Sequence, residues 1–165
     1  MEILLVSVEN IGEGGINVKV ITTFPQKRRE RQIRFERSLM RELSIETLRT
    51  SFRWFFDWQG FMASQSLLFA IEEGCYDIAV ETFLFGSQFS RLGYFGVPWE
   101  EIHRRSQKQL SLFSRGLADF IHYWVNEDRE REVEADLLDA CSRFVEYWFR
   151  EGFLKGKMKY KMKLL

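Results

Sequence analysis

The chain has 165 residues and a mass of 19.8 kDa, about one domain's worth and enough for a hydrophobic core. Its 45% hydrophobic and 29% charged residues exclude disorder and collagen-like repeats. Twenty-four basic against 24 acidic side chains exclude a global attraction to nucleic acid or membrane, so any such binding must come from local patches.

Residues 1–17 differ in kind from the rest. Ile3-Leu4-Leu5-Val6 and Ile16 to Phe24 are β-branched-rich runs flanking Gly12-Glu13-Gly14-Gly15, the pattern of a hairpin. The same glycine-rich run is what a purine-rich ribosome-binding site would yield on translation, with Val18 the true start and residues 1–17 an extension that packs poorly. Both readings stay open. The apolar run Ile3 to Val8 follows Glu2 and lacks the basic flank and cleavage site of a secretion signal. The uncharged run Trp58 to Ile71 is too short for a membrane span and is interrupted by Gln59, Gly60, Ser64, Gln65 and Ser66, so it reads as a core helix with its entry loop. The expectation is one cytoplasmic domain over residues 18–165 with a basic tail at about 155–165.

From Pro25 onward the pattern is helical. A first helix is expected from Pro25 or Gln26 to Leu43, after which Ser44 is placed to cap a second with Ile45, Leu48, Phe52 and Phe55 on one face. A third is expected over about Phe61 to Glu73, ended by Gly74, and a fourth from Tyr76 to Ser90. Leu92 to Val97 reads as a glycine-containing loop leading to Pro98. A long helix follows with Trp99, Ile102, Ser106, Leu110, Phe113, Leu117, Phe120 and Trp124 in one stripe, and Glu100 and Glu101 in its first turn. After a charged turn at 126–132, Val133, Leu137, Cys141, Phe144 and Trp148 mark the last helix. Gly152 and Gly156 are expected to end it, because Lys157 to Leu164 then alternate basic and apolar residues with the period of a strand. That strand would need a partner, and Val18 to Phe24 is the candidate. The expected fold is mainly α, a compact bundle of five to six helices, with a short two-stranded β-ladder joining the N-terminal and C-terminal segments as an addition.

Two patches carry the candidate binding chemistry. Lys27, Arg28, Arg29 and Arg31, followed by Arg34, Arg37 and Arg41, oppose Glu30, Glu36 and Glu42 on one helix. Arginine grips phosphate or carboxylate through two parallel hydrogen bonds, but a solvated helix face is the preferred reading of such a run. In the tail, Lys157, Lys159, Lys161 and Lys163 surround Tyr160, a ring able to stack on a base. Protection of an edge strand explains the same lysines without a ligand and is preferred.

No catalytic, cofactor or metal residue is assigned. Glu100 with His103 and Asp119 with His122 have the spacing of di-iron ligands, but they lie 19 residues apart on one helix, about 28 Å, too far to share a metal pair. Cys75 and Cys141 read as buried thiols rather than as a disulfide or a nucleophile. No glycine-rich phosphate loop and no Cys-x-x-Cys pair occurs.

Ile21-Thr22-Thr23-Phe24, Lys27-Arg28-Arg29-Glu30, Phe35-Glu36-Arg37 and Arg41-Glu42-Leu43-Ser44 form a distinctive opening, and Asp139-Ala140-Cys141, Tyr147-Trp148 and Glu151-Gly152-Phe153 a distinctive close. In combination they resemble a small family of uncharacterised cytoplasmic proteins from Bacillus-type bacteria, over about residues 18–165. The resemblance implies a helical cytoplasmic protein and brings no reaction, ligand or functional residue with it. The leading expectation is a non-enzymatic interaction protein, partnered by a second copy or another protein through exposed aromatic surfaces. The alternative is a nucleic-acid or ribosome-associated protein using helix 27–41 and the tail 155–163.

Overall fold

Helix-forming sequence becomes helix almost throughout the computed structural model, which describes residues 24–56, 65–125 and 131–162. Six helices follow in order: α1 (Phe24–Met40), α2 (Ile45–Phe56), α3 (Gln65–Gln88), α4 (Ser90–Tyr94), α5 (Trp99–Val125) and α6 (Arg131–Lys161). The N-terminal hairpin or extension lies outside the described residues.

Contacts between α3 and α6 form the centre. Phe83 meets Trp148, Gly86 meets Phe149 and the Ser90 hydroxyl donates to the Phe153 carbonyl at 2.9 Å, so numbers rise together and α3 and α6 run parallel. α5 runs the other way, since Trp99 packs on Phe153 while His103 reaches Glu146. Phe144, Val145, Trp148 and Phe149 of α6 are fully enclosed, with Cys75, Ala79 and Phe83 of α3 and Ile102, Leu117 and Ile121 of α5. The core is rich in rings: Phe55 and Phe56 close on Phe144, and Phe85, Phe89 and Trp99 surround Phe149.

Several sequence expectations hold. Ser44 caps α2 by accepting from the Thr47 amide at 3.1 Å. The α5 stripe buries Ile102, Ser106, Leu110 and Leu117, although Trp124 at its end is exposed. Gly96, at φ +95°, supplies the left-handed turn before Pro98 that a side chain would resist.

Three expectations are corrected. Gly74 does not end a helix, because α3 is continuous from Gln65 to Gln88 and a Cβ there would collide with the Phe120 ring. The chain after Gln88 forms the short α4 before the loop. The terminal ladder is replaced by helix, as α6 continues through the basic tail to Lys161. Val18 to Thr23 lie outside the described residues, and Phe24 opens α1. The physical reason is a helical series that outweighs the local alternation: Phe149, Gly152, Phe153, Gly156 and Tyr160 recur at three and four residues and face α3, α4 and α1. The two glycines are close-approach points. A Cβ on Gly152 would overlap the Phe83 carbonyl, and one on Gly156 the Ser90 side chain.

Candidate binding surface

α1 is anchored to the body through its C-terminal half. Phe35 and Leu39 are buried, Phe35 lying 5.3 Å from the Tyr160 ring, and Glu42 just beyond the helix pairs with Lys155 at 3.9 Å and with Lys159. Residues 24–34 are all exposed. Arg28 and Arg31 occupy the same helical stripe as Phe35 and Leu39, at spacings of three and four residues, so arginine replaces apolar residues where the stripe leaves the core. The first eleven residues of α1 therefore form an overhang with a basic underside.

That overhang is not neutralised by the described residues. Lys27, Arg28, Arg29, Arg31 and Arg34 form no ion pair among the described residues. Of the nearby carboxylates, Glu36 accepts from the Gln32 amide at 2.7 Å and Glu42 faces the α6 lysines. The tail differs. Lys159 is 9% exposed and held by Glu42, Lys157 lies 5.8 Å from the centre of the Phe153 ring, and Tyr160 is set between Phe35 and Tyr94. Lys161 is exposed and Lys163 lies outside the described residues. Lys27, Arg28, Arg29 and Arg31 on α1 thus form one open surface, while Lys159 and Tyr160 of the tail serve the packing of α1 on α6.

A concavity of about 400 Å³ lies between α2 and α6, where Thr47, Thr50 and Ser51 border the rings of Trp54, Phe55 and Tyr147. Elsewhere His103 meets Glu146 at 2.8 Å on the α5–α6 surface. Glu101 accepts from Arg104 and Arg105, and these bonds bring its carboxyl down to about 2. Burial, reinforced by the bond to Glu72, pushes the Tyr76 hydroxyl up to about 12. Burial likewise pushes the Cys141 thiol up to about 12 and Cys75 well above the ordinary range, so neither carries a thiolate near neutrality. Among the described residues no three His, Cys, Asp or Glu side chains cluster as metal ligands, and no helix is long and apolar enough to cross a membrane.

Residues 18–165 match the family model described as protein of unknown function, DUF2521. The chain belongs to the DUF2521 family. This DUF2521 chain is similar to the uncharacterized protein YbaK of Bacillus subtilis strain 168, at 24% identity over 144 residues, 87% of this chain and 97% of that protein. No solved structure matches it. The matched segment contains every residue the structure describes, so the α1 overhang is part of the DUF2521 domain itself.

One surface of this DUF2521 protein is missed by sequence reasoning. Glu73, Asp77 and Glu81 on α3 are exposed and unpaired among the described residues, four residues apart on one face. The spacing is a signal in the sequence, but it disappears if the helix is divided at Gly74.

Proposed function

We propose that this protein is a non-enzymatic interaction protein of the cytoplasm whose contact element is the basic overhang of α1. The observation that carries the reading is the exposed run 24–34, in which five cations lack any ion-pair partner among the described residues. Guanidinium groups spaced along a helix offer paired donors to carboxylates or phosphates. The acid-base pairs His103–Glu146 and Tyr76–Glu72 lie outside the lining of the Trp54 concavity, which suits binding better than catalysis there.

A nucleic-acid or ribosome-associated role draws on the same arginines. It is the weaker reading, because Tyr160 is packed between two rings and Lys159 is taken by Glu42, which leaves the tail little to offer a phosphate chain.

Retention on an immobilised polyanion tests the overhang. The wild-type chain is expected to bind at low salt and elute as salt rises, and the double variant Arg28→Glu, Arg31→Glu to pass unretained. Both side chains are exposed, so the variant should keep its helical circular dichroism. Equal retention of the two proteins would contradict the reading.

A further inference from the structure

The arginines of the α1 overhang need an anionic counter-surface, and the chain itself carries one that it leaves unused. Glu73, Asp77 and Glu81 line an exposed face of α3 without ion-pair partners among the described residues. One turn earlier, Phe69 continues that stripe at 61% exposure. The overhang has the same composition in opposite charge: Arg28 and Arg31 on the stripe, Lys27 and Arg34 beside it, and Phe24, 68% exposed, one turn before Arg28. Each surface thus presents three or four like charges and a terminal phenyl ring.

Within one molecule, the acidic stripe runs back along α3 from Glu81, two residues before Phe83 at the Gly152 crossing, whereas α1 is fastened farther along α6, at Gly156 and Tyr160. No ion pair joins the α1 cations to the α3 carboxylates.

We infer that the partner of the overhang is a second copy of this chain, with α1 of each copy lying along the acidic α3 face of the other. The inference rests on the reading of α1 as the contact element. A two-fold axis satisfies both surfaces of both copies in one closed dimer, because each copy offers both halves of the contact. The balance of 24 basic and 24 acidic residues means that two copies approach without net repulsion, whereas a nucleic acid attracted by α1 would be repelled by the α3 face.

Sedimentation velocity of the full chain tests this, with the variants Arg28→Glu, Arg31→Glu and Glu73→Lys, Asp77→Lys. The wild-type chain is expected at twice its 19.8 kDa mass at low ionic strength and to dissociate as salt rises. Each variant alone should raise the dimer dissociation constant at least about tenfold. Mixed in equal amounts, the two variants should recover the dimer, since both contacts of the mixed pair again join opposite charges. A monomeric wild-type chain overturns the proposal, as does a dimer indifferent to the reversals, or a mixture that stays dissociated while both variants keep wild-type circular dichroism. A monomeric chain that still loses polyanion retention on reversal of Arg28 and Arg31 overturns self-association alone. Unchanged retention overturns the reading of α1 on which it rests.

Discussion

Two polar atoms sealed in the core, Thr82 Oγ1 and Trp148 Nε1, have no hydrogen-bond partner among the described residues. A buried hydroxyl left unpaired opposes folding by about 1–3 kcal/mol, and valine has nearly the same shape. Thr82→Val is therefore expected to stabilise the protein by about 1 kcal/mol, raising the thermal midpoint by about 2–4 °C. A lowered midpoint would show that the hydroxyl has a use the packing does not reveal. Residue roles set by neighbours in the chain are legible in the sequence: Ser44 stands just before an apolar periodic run, and it caps that helix. Roles set by distant partners are not. Nothing near Lys159 indicates that Glu42 will hold it, or that Phe35 and Tyr94 will enclose Tyr160.

The same division holds for elements, and the glycines show why. α2 and α5 follow from apolar periodicity, since each buries one face against the body. Gly74, Gly152 and Gly156 read as helix ends, yet each lies inside a helix at a point where a neighbour occupies the space of a Cβ. A glycine at a close helix crossing and a glycine at a C-terminus look alike until the partner is known. Gly152→Ala is expected to destabilise the protein by about 2–4 kcal/mol, because its methyl group meets the Phe83 backbone rather than a yielding side chain. Gly116→Ala supplies the control. That glycine is exposed in α5 with open space around its Cβ position, so alanine should stabilise by about 0.5–1 kcal/mol. Chemical denaturation of both variants checks the pair, and a neutral Gly152→Ala would contradict the tight α3–α6 crossing.

At the scale of the whole molecule, zero net charge conceals a separation of charge between the α1 overhang and the α3 face. The arginine run is visible in the sequence. Its openness is not, because that depends on Glu42 turning to the α6 lysines and on Phe35 and Leu39 being the buried residues of α1. Residues 24–34 are all exposed, and a helix segment of eleven residues that buries little is marginal in water. Contact with an anionic face would change this. Hydrogen–deuterium exchange of the full chain at low and at high ionic strength reads that contact directly, segment by segment. The account predicts slowed exchange in residues 24–34 and 69–81 at low salt, with protection lost in both as salt rises. Exchange in residues 24–34 that is the same at both ionic strengths would contradict the assignment of α1 as the contact element.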